Sequence, residues 1–393
     1  MATSRKFLGY SELQSRTIDL MRFPLCVLVV FIHTSTTLEL SPVAWGQYSL
    51  LSEAGMCNVI ELFFVDCVSQ IAVPVFFVIS GYLFFKNLEV WKWKNYGSKL
   101  KSRAKTVLVP YLCWVTISYL CIAGIPAIGT WIESGSLGEA LHSFAKHRYG
   151  IWYAYVANVD YTLYYPDWFG NAIIDYGHFY PVMWYVRNLM VAMICAPLFY
   201  GFVKLTRIYG MVVLCVFYLS NHGFISTTVF YFAMGAYLAT NGLNIVEVAC
   251  KISRLSVPIS VVSLIALTCC GSRELSLAGF RIYPFFVISG VWSAFYIASC
   301  IVRKMRVVPN KFLAQSSFFV FALHFMKVLD GWNASLLSYS FRTVSGLFAG
   351  IPHMDLLVFF ISPALTIVVC LGLFALLRRY TPRLCGVLVG NRC

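Results

Sequence analysis

Two residues of the first hydrophobic segment, Arg22 and His33, have the types and the spacing needed for chemistry. Eleven residues on an α-helix correspond to roughly 1100°, so both side chains lie on one face, about 16 Å apart along the axis. A guanidinium binds phosphate through paired hydrogen bonds, and an imidazole accepts a proton near neutral pH. The spacing predicts a helix that presents a cation at the membrane surface and an imidazole near mid-membrane on one side. The alternative role for His33 is a hydrogen bond between helices.

The composition defines the elements that must position this pair. Of the 393 residues, 60% are hydrophobic, 17% aromatic and 12% charged. This balance excludes a soluble globular protein and predicts an all-α bundle of about ten transmembrane helices. We expect a short cytoplasmic lead at 1–19, a single transmembrane domain at 20–377 and a basic cytoplasmic tail at 378–393. The predicted spans are 20–38, 59–84, 106–126, 179–203, 208–221, 223–240, 256–271, 281–302, 312–329 and 355–377.

The distribution of basic residues predicts the orientation of these spans. With a cytoplasmic N-terminus, most of the 30 lysines and arginines fall on inside segments, as the positive-inside rule requires. An even number of spans then returns the C-terminus to the cytoplasm. The same bias accounts for the net charge of +14, so nucleic-acid binding is not needed to explain it. The 14 cysteines are scattered through apolar segments, which predicts packing residues and neither a metal site nor a disulfide framework.

The loop after the second span holds the densest group of cations in the chain. Two interpretations remain open: attraction to anionic lipid headgroups, or binding of a cytoplasmic ligand that carries several phosphates. The cations are Lys86, Lys92, Lys94, Lys99, Lys101, Arg103 and Lys105.

The segment 127–180, predicted to lie outside the membrane, interleaves aromatic rings with acidic residues and His178. Aromatic side chains at an interface commonly form a membrane belt. Rings beside carboxylates also form platforms for sugars, because a ring packs on C–H groups while the carboxylates bind hydroxyls. At the predicted outer end of the fourth span, Trp184 is followed by Arg187, which reaches either the lipid headgroups or an acceptor.

One short sequence, Phe-Phe-Val-Ile-Ser-Gly, occurs twice, at 76–81 and at 285–290. The flanking sequences are not similar, so it does not indicate an internal repeat of the kind that builds some transporters. The small residues at its end, Ser80 and Gly81 in the first copy, predict close packing between helices.

Five motifs in chain order resemble successive signatures of the bacterial acyltransferase family 3. They are Arg22 to His33 with ten residues between them, VPVFFVISGYL at 73–83, MWYVRN at 183–188, FAMGAY at 232–237 and FALH at 321–324. The resemblance covers nearly the whole chain. It implies a multi-pass protein of the bacterial cytoplasmic membrane that transfers an acetyl or succinyl group from cytoplasmic acyl-coenzyme A to a glycan on the outer side.

The resemblance and the spacing together assign roles to individual residues. The catalytic base is expected to be His33, and the phosphates of acyl-coenzyme A are expected at Arg22, Arg103, Lys105 and Lys101. Family members often have Arg-x-x-Arg before the third span, and here the matching positions are Arg103 and Thr106. Acyl-coenzyme A is a co-substrate, and neither a tightly bound cofactor nor a metal is expected. The candidates for the acceptor site are Asp66, which is also placed to orient His33, together with Trp184, Arg187 and His178.

Two other functions remain open at this point. A transporter or flippase for a lipid-linked glycan would share the hydropathy and the polar outer segment. A membrane acyltransferase of a different class, with its essential histidine late in the chain, would use His324 as the base. Packing or a hydrogen bond is the alternative role for His324, and Lys327 is expected to pair with Asp330 one helical turn away.

Overall fold

The computed structural model describes residues 9–34, 57, 59–88, 90–145, 155, 159–164, 174–178, 180–220, 223–270, 275–277, 280–327, 335–349, 351 and 354–391. The chain forms two compact units, Met1–Leu100 with Val191–Ser317 and Lys101–Met190 with Phe318–Cys393.

Helices make up most of the described chain. In order they are α1 (Tyr10–Ile32), α2 (Ala72–Phe85), α3 (Trp93–Arg103), α4 (Val109–Ser134), α5 (Leu137–Ala145), α6 (Trp184–Ile194), α7 (Ala196–Ser220), α8 (Phe224–Thr240), α9 (Ile245–Cys270), α10 (Ile282–Lys304), α11 (Lys311–Leu323), α12 (Leu336–Leu347), α13 (Asp355–Tyr380) and α14 (Pro382–Val389). A π-helix (Leu62–Cys67) and a 3-10 helix (Val68–Ile71) precede α2, a second π-helix (Ala104–Leu108) joins α3 to α4, and a 3-10 helix (Pro181–Met183) precedes α6.

Four short strands form two antiparallel hairpins. Strand β1 (Val159–Tyr164) pairs with β2 (Ile174–His178), and β3 (Ser276–Leu277) pairs with β4 (Phe280–Arg281). The all-α prediction is therefore confirmed apart from these two hairpins.

Six helices in the described part of the chain are long and apolar enough to cross a membrane. Two shorter apolar helices, α8 and α11, coincide with the sixth and ninth predicted spans. The sequence therefore identified the membrane class, while the count of ten spans and the orientation of the termini stay predictions. The six helices are Val59–Phe85, Trp93–Ser134, Ala196–Ser220, Ile245–Cys269, Ile282–Lys304 and Asp355–Tyr380.

The fourth and fifth predicted spans fall on α6 and α7. Helix α7 contains a break at Arg207, where φ is 51° and ψ is −132°. A positive φ is uncommon for a residue with a side chain, so the helix changes direction there. This break lies between the predicted end of span four at 203 and the start of span five at 208.

Helix α1 begins ten residues before the predicted first span, so residue 20 is not a structural boundary. The predicted polar lead contributes a buried face at Leu13, Thr17 and Ile18. The buried Gln14 Oε1 accepts a hydrogen bond from Ile245 N, 2.7 Å away, at the first residue of α9. The apolar face that this part of α1 buries explains why the helix starts early.

The tightest helix contact of the first unit joins α2 to α8, and both helices carry family-like motifs. A Cβ at Gly81 would collide with the carbonyl oxygen of Phe232, and one at Gly235 would collide with that of Val78. Glycine at these positions lets the two backbones approach closely, as in other membrane helix pairs. The prediction that Gly81 serves close packing is confirmed.

In the second unit, α5 folds back along α4, and the C-terminal tail packs on the same helix. The rings of Tyr119 and Phe144 meet edge to face at 6.0 Å. The Trp114 Nε1–H donates to the carbonyl of Leu388, 3.0 Å away, on α14. The tail predicted only as basic and cytoplasmic thus contains a packed helix, which ends at Gly390 with a φ of 70°.

Candidate active site

The face that carries Arg22 and His33 is formed by α1 as the spacing predicted. The helix is continuous to Ile32, and His33 follows as its C-cap residue with φ −88° and ψ −3°, still in the right-handed helical region. The eleven-residue separation therefore keeps both residues on one side, about 16 Å apart along the axis. Both residues are half-buried.

This side of α1 points into the protein. The residues between the pair on the same face are buried, with exposed fractions of 4% at Leu25, 1% at Cys26 and 2% at Val29. The expectation that the polar pair faces the protein interior agrees with this burial. Because the path between the two polar groups is filled with side chains, it is not an open channel in this state.

A carboxylate stands beside the proposed phosphate-binding arginine. Arg22 Nη1 lies 3.1 Å from Asp19 Oδ1, and the two side chains are 37% and 42% exposed. A pair this exposed contributes at most about 1 kcal/mol to stability, so a multiply charged phosphate can replace it. The sequence analysis missed Asp19, although its position one turn before Arg22 is the signal that would have found it.

The candidate residue Asp66 lies on an element that contacts α1. Asp66 belongs to the π-helix Leu62–Cys67, which packs against α1. The rings of Phe31 and Phe64 stack with their centroids 5.7 Å apart, and Phe31 lies two residues before His33 on the chain. π-Helical turns are frequent at functional sites. The elements that carry Asp66 and His33 are therefore neighbours, and the approach of the two side chains stays a prediction.

The three other candidate phosphate ligands belong to the second unit. Lys101 and Lys105 are exposed, whereas Arg103 is half-buried and interacts electrostatically with Tyr185. No carboxylate among the described residues lies within 4.0 Å of the Arg103 guanidinium. Arg103 is thus the cation of this group whose environment differs most from that of a solvated surface residue.

One cation of the basic loop has a structural role. Lys99 Nζ donates to the carbonyl oxygens of Phe84 and Lys86, at 2.6 and 2.5 Å. These carbonyls lie at the C-terminus of α2, where a cation also complements the helix dipole. Lys99 is therefore occupied as a helix cap, which removes it from the cations available for a phosphate ligand.

Arg187 has partners on its own helix and on α4. Its Nε and Nη2 donate to Asn188 Oδ1 at 3.2 and 3.1 Å, and it interacts electrostatically with Tyr111, in the first turn of α4. Its place at the outer surface and its contact with an acceptor stay predictions.

One residue of the segment 127–180, Tyr155, contacts α4. Its carbonyl accepts from Tyr111 Oη at 3.0 Å, and its hydroxyl is 2.7 Å from Thr116 Oγ1. The predicted outer location of the segment stays a prediction. His178 pairs in register with Val159 in the first hairpin. The side chains of the predicted sugar platform at Asp160, Asp167 and Asp175 fall outside the described residues.

His324 is fully buried at the end of α11. Its Nδ1 lies 3.0 Å from the carbonyl oxygen of Val320, one turn earlier, and its own carbonyl accepts from Leu337 N at 3.0 Å. One contact is with its own helix and the other is with the first turn of α12, and together with the burial they favour the packing role over that of a base. Lys327 is buried as well, and Asp330, its expected partner, lies outside the described residues.

In the described part of the chain, no three histidine, cysteine, aspartate or glutamate side chains are grouped so that they could hold a metal ion. The side chains at α1 that can carry chemistry are the guanidinium of Arg22 and the imidazole of His33, and the carboxylate of Asp66 belongs to the neighbouring π-helix.

The fold and this site define a multi-pass helical membrane protein with an anion-binding group and an imidazole on one inward face. Comparison with known families identifies which one. The family model described as acyltransferase domain (acyltransferase 3) matches residues 16–376, so the chain belongs to this acyltransferase family. The match includes Arg22 and His33 and ends before α14.

One curated relative is informative about biological setting. The chain is 25% identical over 403 residues to the succinoglycan biosynthesis protein ExoH of Rhizobium meliloti strain 1021, covering 96% of this chain and 92% of the relative. No solved structure was found to match the chain.

Proposed function

We propose that this acyltransferase moves an acetyl or succinyl group from cytoplasmic acyl-coenzyme A to a hydroxyl of a cell-envelope glycan. The observation that carries the proposal is the placement of Arg22 and His33 on one inward face of α1 in a chain of this family. The choice of a glycan is supported by the similarity to a protein of succinoglycan biosynthesis.

The proposed setting is the bacterial cytoplasmic membrane, crossed ten times with both termini in the cytoplasm. The distribution of basic residues supports this orientation. In this arrangement the N-terminal half of α1, which holds Arg22, is on the side from which the cytoplasmic donor arrives. His33 is at the other end of the helix, toward the acceptor.

The donor would be bound by its two ends. Arg22 would bind phosphate oxygens through its fork of N–H donors, and Asp19 would release it when the phosphate arrives. Arg103, Lys101 and Lys105 would add positive charge on the second unit. The thioester, at the far end of the flexible arm of coenzyme A, would then reach toward His33.

The transfer follows from the position of the imidazole. His33 would take the proton of an acceptor hydroxyl as that oxygen attacks the thioester carbonyl. A new C–O ester bond would form, the C–S bond would break, and the coenzyme A thiolate would leave and be protonated. Asp66, on the neighbouring π-helix, would orient the imidazole and stabilise its positive charge.

The acceptor contacts that we propose are those of Trp184, Arg187 and His178. The interaction of Arg187 with Tyr111 supports an acceptor that reaches between the helices of the second unit.

The test is acyl transfer in membranes that contain the intact chain. Membranes with wild-type protein and with His33→Ala, matched for expression, receive labelled acetyl-coenzyme A and bulk envelope glycan, and then labelled succinyl-coenzyme A. We expect His33→Ala to reduce incorporation by about 10² to 10⁴. His142→Ala is the matched control, because that histidine is exposed on α5.

The possible results separate the remaining functions. Equal incorporation with and without His33 would remove it as the base, and a loss in His324→Ala alone would assign the base to the late histidine. Absence of incorporation with both donors in the wild-type protein would contradict the proposal and favour transport of a lipid-linked glycan.

A further inference from the structure

The face of α1 between Arg22 and His33 is closed, although the proposed function requires a donor that reaches from one to the other. On the helix, Cys26 and Val29 lie within about 40° of the line that joins the two polar residues. Their exposed fractions are 1% and 2%. A donor arm therefore cannot lie along this face unless a neighbouring element moves away from it.

The neighbour at this point is α11. The thiol of Cys26 donates to the carbonyl oxygen of Ser317, 3.1 Å away. Helix α1 packs extensively on α10 and on the 3-10 helix Val68–Ile71, whereas among the described residues it meets α11 at few positions. A thiol is also a weak hydrogen-bond donor. Separation of α1 from α11 therefore breaks fewer and weaker contacts than separation from its other neighbours.

We infer that the arm of the acyl donor enters between α1 and α11, and that the contact between Cys26 and Ser317 opens to admit it. Cys26 and Val29 then line one side of the arm. The carbonyl of Ser317, released from the thiol, becomes an acceptor for an amide N–H of the arm. This inference rests on the proposed function, because it assumes a donor held at Arg22 with its thioester near His33.

The experiment locks this contact in the full-length protein. Ser317→Cys introduces a second thiol at the residue whose carbonyl contacts Cys26, and a short bifunctional methanethiosulfonate bridges the two thiols, as verified by mass spectrometry of the linked peptides. Binding of labelled acetyl-coenzyme A and transfer to envelope glycan are measured before linking, after linking and after reduction. We expect linking to reduce both at least tenfold and reduction to restore them.

The control distinguishes the effect of the cross-link from the effect of modifying other cysteines. The double variant Ser317→Cys with Cys26→Ala receives the same reagent, and its binding and transfer after treatment should equal its own values before treatment. If the linked protein binds and transfers as well as the unlinked protein, the inference is wrong while the proposed function stands. If neither wild-type nor unlinked protein binds acetyl-coenzyme A, the proposed function fails and the inference fails with it.

A second pair of variants tests the same path without a cross-link. Cys26→Phe should raise the KM for the donor at least tenfold and leave the KM for the acceptor unchanged, because the larger ring fills the path. Cys26→Ala should not raise the KM for the donor. Equal donor KM values in the two variants, with both proteins folded by thermal unfolding, would contradict the inference.

Discussion

Replacing Gly235 by alanine tests how closely α2 and α8 must approach to hold the first unit together. A Cβ at Gly235 would collide with the carbonyl oxygen of Val78 and lie 2.6 Å from the backbone nitrogen of Tyr82. Both atoms belong to backbone, so a side-chain rotation cannot relieve the collision. The two helices would have to move apart.

The expected loss follows from two opposing effects. Overpacking of a close contact typically costs about 1–3 kcal/mol. Separation of the helices also weakens the ring contacts of Phe232 with Phe84 and Phe85, whose centroids lie at 6.5 and 6.0 Å. Alanine returns about 1 kcal/mol through its higher helix propensity. For Gly235→Ala we expect a net loss of about 1–2 kcal/mol in the free energy of unfolding.

The measurement is thermal unfolding of the purified protein in one detergent. The matched control is Gly201→Ala, in α7 of the same unit, where nothing lies within 4 Å of the added Cβ. That variant should unfold at the same temperature as wild type or higher. Gly81→Ala should behave like Gly235→Ala, and the double variant should lose less than the sum, because one separation of the helices relieves both collisions.

The reasoning is refuted if Gly235→Ala unfolds at or above the midpoint of Gly201→Ala. Strict additivity of the Gly81→Ala and Gly235→Ala losses would also contradict it, because that would show two independent effects where the structure has one shared interface.

Three other substitutions test single contacts. Asp19→Asn should lower the KM for acyl-coenzyme A up to about fivefold, since phosphate no longer competes with a carboxylate for Arg22; an unchanged donor KM would show that Arg22 does not bind the donor. Gln14→Leu should cost about 1–3 kcal/mol in thermal unfolding, because the buried Ile245 N–H loses its acceptor, whereas Gln14→Glu should cost less. Lys99→Met should lower the unfolding midpoint without changing the donor KM, and a raised KM would return Lys99 to the phosphate ligands.

The helices could be predicted from the sequence, because a long apolar segment in a membrane must satisfy its backbone hydrogen bonds internally, and a helix does so. The early start of α1, at Tyr10, could not be predicted, for a physical reason. Residues 10–19 contain charged side chains at Glu12, Arg16 and Asp19, which suggested a solvated lead. The same segment carries Leu13 and Thr17 on a face that packs against the first turn of α9, and this tertiary contact extends the helix.

The pair on α1 could be predicted because both residues belong to one helix, where periodicity alone fixes the relative positions. The positions of Arg187 and Lys99 could not, because they depend on partners far along the chain. Arg187 interacts with Tyr111 on α4, and Lys99 donates to carbonyls at the C-terminus of α2. Local spacing gives no information on either contact.

Some of the family-like motifs are explained by helix packing, whereas another carries side chains that can do chemistry. Only a motif of the second kind is evidence for function. The motifs at 73–83 and 232–237 meet each other through Gly81 and Gly235, so their small residues are explained by backbone approach without any ligand. The Arg22 to His33 motif has no such explanation, since a half-buried guanidinium and a half-buried imidazole add nothing to packing that apolar residues would not provide. The proposal of which residues carry the chemistry therefore depends on this one motif, and a loss of transfer in His33→Ala would carry more weight than any defect produced at the glycines.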